Sequence, residues 1–493
     1  MFESAELGHV IDKKAYEAEV PALREALLDA QYELAQQAQF PVILLIGGVD
    51  ESCKGDVVNL LNEWMDPRYI QVAAMDLPSD EEQARPPMWR YWRALPPKGK
   101  IGVFFGSWYT TPILLKVKGE MKSSQLTQRL DEIVRFERML SNEGALILKF
   151  WFHLSKDVQK KRLKALEKDA HTRWRVTQAD WERFRLYDKF RKVSEHVLRE
   201  TSTAHAPWTV IEGTDYRYRN LNTAKILLEA IRQRLANPQP LVAGAVAPLR
   251  PAVDNINVIR SLDMEQSLSK KAYERQLAEY QGRLSLLIRS AKFSRKSLVV
   301  VFEGSDAAGK GGAIRRFCRA LDARQYSIIP IAAPTEEERA QPYLWRFWRY
   351  LPRRGKVTVY DRSWYGRVLV ERVEGLCSEA DWMRAYSEIN DFEEQLVDSG
   401  MVLAKFWLTI SQEEQLRRFE AREKIGFKRF KITDEDWRNR SRWTDYEQAV
   451  CDMVDRTSTE IAPWTLVEAN DKHFARIKVL RTLCESLEEA MGK

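Results

Sequence analysis

Ser297-Leu298-Val299-Val300-Val301-Phe302-Glu303, then Gly304-Ser305-Asp306-Ala307-Ala308-Gly309-Lys310-Gly311-Gly312, then Ala313-Ile314-Arg315-Arg316-Phe317, form the stretch that decides the fold. An apolar run leads into a glycine-rich loop, and the loop leads into the first turns of a helix. That order is the context of a P-loop, whose backbone N–H groups and helix N-terminus favour an anion at one place. Gly304, Gly309 and Lys310 fit the spacing G-x-x-x-x-G-K. Lys310 brings a positive charge to where phosphate oxygens sit. Two features depart from the usual pattern. Gly311 stands where a Ser or Thr hydroxyl normally holds a metal ion, and Asp306 puts a carboxylate inside the loop.

Downstream, Val359-Tyr360-Asp361-Arg362-Ser363-Trp364-Tyr365-Gly366-Arg367 reads as an apolar strand ending in an acid. This is the arrangement that sets a metal-holding carboxylate beside a P-loop. Magnesium takes one or two carboxylates together with phosphate oxygens, so Asp306 and Asp361 together replace the missing hydroxyl. Arg362 and Arg367 then neutralise phosphate charge. A third constellation is basic. Arg417, Arg418, Arg422, Lys424, Lys428, Arg429, Lys431, Arg438, Arg440 and Arg442 follow the next apolar run, where a kinase lid closes over phosphates. Residues 422–442 carry eight basic side chains against four acids, an excess that points to a donor longer than one nucleotide. Arg346, Arg349, Arg353, Arg354 and Lys356 form a second basic cluster just before the Asp361 strand, and both clusters are expected to converge on the phosphate site. Asn470-Asp471-Lys472 is placed by position near a bound base.

Outward from the loop, 326–331, 357–360, 401–408 and 464–468 read as four further strands, and 258–292 and 391–398 as helical. Thr335-Glu336-Glu337-Glu338 reads as a helix start with acids in its first turn. Strands alternating with helices predict a parallel sheet that binds ligands at its carboxyl edge.

The whole pattern occurs twice. Lys54 aligns with Lys310, Trp89-Arg90-Tyr91-Trp92-Arg93 with Trp345-Arg346-Phe347-Trp348-Arg349, and Ser107-Trp108-Tyr109 with Ser363-Trp364-Tyr365. Lys149-Phe150-Trp151 aligns with Lys405-Phe406-Trp407, and the offset is 256 throughout. A period this long means a duplicated domain and not a solenoid. Recurrence of Trp345, Trp348, Trp364 and Tyr365 favours core packing over base stacking. The first copy keeps Lys54 and Asp50 but has Cys53 for Gly309, Asp56 for Gly312, Phe105 for Asp361, Gly106 for Arg362, Thr111 for Arg367 and Leu166 for Arg422. A phenylalanine cannot hold a metal ion, so residues 1–236 are expected to be a degenerate, inactive copy. A Pro/Ala-rich linker is expected at 237–254 and the catalytic domain at 255–493.

Hydrophobic residues make up 44% of the 493-residue chain, which excludes global disorder. Net charge is +7, which suits an anionic partner. Five scattered cysteines and an acidic N-terminus predict a reducing, cytoplasmic setting without disulfides. No apolar run approaches a membrane span, and no membrane or nucleic-acid partner is expected. A homo-oligomer is compatible with the sequence. The residues leave open an ATP-dependent nucleoside monophosphate kinase and a non-catalytic polyanion-binding scaffold.

Taken together, the Asp306-bearing loop, the Asp361-Arg362-Ser363-Trp364-Tyr365-Gly366-Arg367 motif and the basic lid resemble the polyphosphate kinase 2 family. The tandem layout with a degenerate first copy is similar to the fused, two-domain class II of that family. The resemblance implies an α/β fold of tandem thymidylate-kinase-like P-loop domains, each a parallel sheet of about five strands flanked by helices, with a helical lid. It implies transfer of a terminal phosphoryl group from inorganic polyphosphate to AMP, giving ADP. On this likeness Asp306 and Asp361 hold Mg²⁺, with Mn²⁺ as an alternative, and orient the acceptor. Lys310 and Arg362 bind the transferring phosphate, and Arg367 stabilises its charge. Gly304, Ala308, Gly309, Gly311, Gly312, Arg422, Lys424 and Arg429 complete the phosphate-binding set.

Overall fold

The computed structural model describes residues 1–237, 257–424 and 432–492. Except for Asn237, the expected linker lies outside them, as do Lys428, Arg429 and Lys431 of the basic lid. Each repeat carries one five-stranded sheet, and every strand pair in it is parallel. In the first repeat the strands are β1 (Val42–Gly48), β2 (Ile70–Ala74), β3 (Ile101–Phe105), β4 (Leu146–His153) and β5 (Trp208–Glu212), in the order β2-β3-β1-β4-β5. In the second they are β6 (Ser297–Gly304), β7 (Tyr326–Pro330), β8 (Val357–Asp361), β9 (Met401–Thr409) and β10 (Trp464–Glu468), in the order β7-β8-β6-β9-β10. All five strands expected in the second repeat are present, each within two residues of its expected bounds.

Burial follows position in the sheet. Central β6 and β9 are buried along nearly their whole length, which is why both read as unbroken apolar runs. Edge strand β7 is half-exposed and ends in Pro330, a residue that only an edge tolerates. The helix expected over 258–292 runs only over Lys270–Ile288, because the Ser269 hydroxyl accepts from the Ala272 N–H and caps it there. The helix read at 391–398 begins earlier, at Glu379, behind a Ser378 capping box. Thr335 opens a short helix with Glu338 completing its capping box, as its acids suggest. No helix among the described residues is long and apolar enough to cross a membrane.

By contacts the chain divides into two compact units. One comprises Met1–Pro78, Arg90–Ala243 and Thr335–Trp345; the other comprises Ser79–Trp89, Gly244–Pro334 and Arg346–Lys493. Each unit therefore incorporates a short segment from the other repeat. Within the first unit the Lys98 N–H donates to the Ala340 carbonyl at 2.8 Å, and the Gln341 side chain to the Leu95 carbonyl at 3.1 Å. Within the second, the equivalent Arg354 N–H donates to the Ala84 carbonyl and Arg85 Nε to the Leu351 carbonyl, both at 3.1 Å. The chain-order domain reading contains no hint of this exchange, since it depends on where loops land and not on local pattern.

Beneath each sheet lies the same buried polar network. Lys405 Nζ, on β9, donates to Glu393 Oε2 at 2.7 Å, to the Tyr365 hydroxyl at 2.9 Å and to the Thr457 carbonyl at 2.8 Å. Glu393 Oε1 accepts from Trp364 Nε1 and the Tyr365 hydroxyl. Burial pushes the Glu393 carboxyl up and the Lys405 ammonium down, and their mutual attraction opposes both shifts. Lys149, Glu137, Tyr109, Trp108 and Thr201 repeat the arrangement in the first unit. The tryptophans and tyrosines quoted above belong to this core: Trp348, Trp364 and Tyr365 are fully buried and Trp345 nearly so. Lys405→Met leaves Glu393 buried without its counter-ion. It is expected to destabilise the second unit by about 3–5 kcal/mol in chemical denaturation; a loss below about 1 kcal/mol would show that the pair contributes little.

Candidate functional site

The site is assembled where β6 and β8 end. Phe302 pairs with Asp361 across the two strands, so the loop after β6 and the acid ending β8 emerge on the same edge. Gly304 makes the exit. Its φ is +145°, and a Cβ there would lie 2.2 Å from the Leu408 carbonyl oxygen, so only glycine fits. Gly309 is the N-cap, and Lys310, Gly311 and Gly312 form the first turn of the helix Lys310–Cys318. This aims the first N–H groups of that helix at the loop. Lys310 Nζ donates to the Gly304 carbonyl at 2.5 Å and lies along the loop. Ala308 is buried against the core.

Arg362 is where the charges meet. It is half-exposed and adopts φ +63°, a left-handed conformation that a bulky residue keeps only under constraint. Its N–H donates to the Phe302 carbonyl at 3.0 Å, which ties it to β6. Its guanidinium lies 3.6 Å from Asp306 and 3.7 Å from Glu435. Burial works to lower its pKa, but the carboxylates of Asp306, Glu303, Glu435 and Asp361 more than reverse this, and the net shift is upward. The structure thus gathers Asp306, Lys310, Asp361 and Arg362 around one loop. Arg367 sits on the turn Trp364–Arg367, with Nε 2.9 Å from Glu371.

The lid reaches this cluster through the helix Asp434–Ser441. Asn439 Nδ2 donates to Asp306 Oδ2 at 2.9 Å, and Asn439 Oδ1 accepts from the Tyr446 hydroxyl at 3.1 Å. Neither residue stands out in the sequence, because an asparagine amid arginines carries no pattern of its own. Glu374 holds the same helix from below, 2.9 Å from Arg438 and 3.8 Å from Arg442.

Several basic residues turn out to serve the scaffold. Arg418 is nearly buried, and its guanidinium donates to the carbonyls of Ala307, Ala308, Ala469 and Asn470 at 2.6–3.1 Å. It clamps the loop to the segment after β10. Arg417 pairs with Glu414, and Arg440 donates to the Gln412 carbonyl and Gln415 Oε1. Arg422 and Lys424 lie at the end of the helix Gln412–Glu423 that leads into the lid, with no ion pair among the described residues. Of the second basic cluster, nearly buried Arg346 donates to the Ala332 carbonyl at 2.8 Å, and the part formed by Arg353, Arg354 and Lys356 does not converge on the phosphate site. It precedes Val357, at the amino end of β8, whereas Asp361 closes the carboxyl end. Parallel strands separate the two by the length of β8. Arg354 lines a small cleft there with Arg85, Arg295 and Lys296. Asn470 is likewise occupied: its side-chain oxygen accepts from the Ser411 N–H at 2.9 Å, and Asp471 caps the helix Lys472–Ala490.

Among the described residues no group of three or more His, Cys, Asp or Glu side chains is poised to hold a metal ion. Asp306 and Asp361 nevertheless suit a hard cation that takes its remaining ligands from phosphate and water. In the first repeat the corresponding residues differ. Arg183, at the position of Asn439, places Nε 3.1 Å from Asp50 and also pairs with Asp180, so a guanidinium stands beside the loop carboxylate. Phe105 ends β3, and Gly106 keeps the left-handed turn at φ +84° without a side chain.

A parallel sheet ordered around a central P-loop strand defines a P-loop kinase fold present twice, and in the second repeat a carboxylate ends the neighbouring strand beside a helical lid. The polyphosphate kinase 2 family model matches residues 10–239 and 267–493, and the chain belongs to that family. It is 59% identical over its full length, and that of the relative, to a polyphosphate:AMP phosphotransferase of Pseudomonas aeruginosa. To the enzyme of that name from Pseudomonas syringae pv. tomato it is 56% identical, over 100% of this chain and 99% of the relative. A crystal structure of a polyphosphate kinase 2 from Pseudomonas aeruginosa superposes with a TM-score of 0.91 at 57% identity, covering both chains completely.

Asn439→Arg is expected to recreate at Asp306 the ion pair of the first repeat. Phosphotransfer, followed during a divalent-metal titration, should fall about a hundredfold with an unchanged melting temperature. Retention of full activity would show that the lid asparagine does not govern the Asp306 carboxylate.

Proposed function

We propose that the protein transfers the terminal phosphoryl group of inorganic polyphosphate to AMP, forming ADP, in its second repeat. The observation that carries this reading is the joint presence of Asp306, Lys310, Asp361 and Arg362 at one loop of that repeat. The chain that holds them is similar along its whole length to polyphosphate:AMP phosphotransferases.

Phosphoryl transfer asks little covalent chemistry of a protein. It asks for two substrates in line and for charge neutralised on the oxygens between them. The loop N–H groups and the helix Lys310–Cys318 receive the terminal phosphate of the donor. Lys310 swings from the Gly304 carbonyl onto a phosphate oxygen, and Arg362 meets the same group from the β8 side. Asp306 and Asp361 would hold Mg²⁺, which when bound would draw charge from the phosphate. Arg367, Arg422 and Lys424 continue the positive track along the donor, and the lid helix excludes water as it closes. The first repeat, with Phe105, Gly106 and the Arg183–Asp50 pair, takes no part in the chemistry.

Purified protein with AMP and Mg²⁺ should form ADP when polyphosphate is supplied. Comparable turnover with ATP as the only donor would favour a nucleoside monophosphate kinase, and turnover with neither would favour a polyanion-binding scaffold. Asp361→Asn should reduce turnover by at least about a thousandfold, whereas Lys54→Ala changes it less than about twofold. A large loss on changing Lys54 would mean that the first loop is also in use.

A further inference from the structure

Glu303 is the last side chain of β6 before the loop, 6% exposed, and it plays no part in the steps above. Its Oε1 accepts the Ser363 hydroxyl at 2.8 Å. Ser363 directly follows Arg362 and caps the turn that carries Arg367. Burial pushes the carboxyl pKa of Glu303 up; the attraction of Lys310, the Ser363 hydrogen bond and the attraction of Arg362 act against that shift. A buried acid of this kind could belong either to the fold or to the reaction.

The first repeat separates the two. At the offset of 256, Gly47 stands opposite Glu303, while Ser107, Trp151 and Lys54 stand opposite Ser363, Trp407 and Lys310. The sheet, the P-loop helix and the buried lysine network all form in that repeat without the acid. A Cβ on Gly47 would lie 3.1 Å from Cε3 of Trp151, so the ring has closed over the place where a side chain would begin. The acid is thus missing from the repeat that also lacks Asp361 and Arg362, whereas its serine partner is still there.

We propose that Glu303 is a positioning residue for phosphoryl transfer: its buried carboxylate anchors Ser363 and supplies the counter-charge against which Lys310 and Arg362 are held beside the loop. Two cations crowded against one loop repel each other, and the carboxylate behind them offsets that repulsion. Removing the charge leaves a more positive pocket. Donor binding then stays as strong or strengthens, while the aim of the two cations at the transferring group is lost. This inference rests on the proposed reaction.

The test compares Glu303→Gln, which keeps an oxygen for Ser363 but no charge, with Glu303→Asp, which keeps the charge. Steady-state ADP formation with varied polyphosphate, calorimetric polyphosphate binding and thermal melting are measured for both and for the natural protein. The Gln variant should lose about tenfold or more in kcat. Its KM and Kd for polyphosphate should be equal to or below those of the natural protein, at an unchanged melting temperature. The Asp variant should recover part of kcat. A Gln variant within about twofold of natural kcat overturns the proposal, as does a Kd for polyphosphate that rises in step with the loss, or an Asp variant no better than Gln. If Gln fails to fold while Asp folds with natural kinetics, Glu303 is structural and the proposal also fails. Should the natural protein form no ADP, the reaction itself is misread. Binding then judges Glu303 separately, because a Gln variant that binds polyphosphate more weakly contradicts the counter-charge.

Discussion

The pairing of Phe302 with Asp361 across β6 and β8 is the constraint on which the rest of the site depends. It fixes where the loop leaves the sheet relative to the strand-end acid. The Arg362 N–H, bonded to the Phe302 carbonyl, then extends the pairing by one residue and locks a left-handed turn. Everything charged is hung from these two strand ends. Glu303 and Asp306 belong to β6 and its loop, Asp361 and Arg362 to β8 and its turn. Because the backbone hydrogen bonds of a sheet hold the register, the charged groups need no further adjustment to meet. Arg418 completes the frame by spending its donors on four loop carbonyls, which keeps the loop in place without touching a phosphate.

The duplication works as an internal control. What both repeats keep belongs to the fold: the sheet order, the Lys405 and Lys149 networks, and a buried-side arginine clamp. In the first repeat the clamp is Arg162, which bonds the carbonyls of Glu51, Gly213 and Thr214. What only the second repeat has, namely Glu303, Asp361, Arg362 and an uncharged Asn439, is the set on which the proposed reaction draws. The aromatic residues of the Ser363-Trp364-Tyr365 motif fall in the first group. They hold the turn from below, through Glu393, and have no exposed face for a base to stack on.

Local signals were legible and non-local ones were not. The loop, the strand-end acid and all five strands of the second repeat could be read because each is a short run with its own chemistry. The destination of Arg353, Arg354 and Lys356 could not be read from their nearness to Asp361 in the chain, since a strand separates its two ends in space. Nor could Arg418 be told from Arg422 in a run of basic residues; only folding shows that one faces the loop carbonyls from inside. Glu303 was quoted as part of a buried strand. Its interest emerges only when the Ser363 hydroxyl is found on its carboxylate and Gly47 is set beside it.

The left-handed turn shows how far the two repeats have diverged beside the loop. A non-glycine residue at such a φ carries strain of about 1–3 kcal/mol, which persists only where the surroundings impose it. Arg362 bears that strain at φ +63° because its side chain must face Asp306 and the loop. In the first repeat glycine adopts the same turn without strain, Gly106 at φ +84°. The backbone has since settled around the missing side chain. A Cβ on Gly106 would lie 2.5 Å from the Met75 carbonyl oxygen, against 3.0 Å or more for real Cβ contacts. Restoring the arginine would therefore require the end of β2 to move as well. Even then the new guanidinium would find Asp50 already paired with Arg183, and Phe105 where the second repeat has Asp361. The first repeat is thus the same fold with its loop carboxylate paired to a guanidinium of its own repeat.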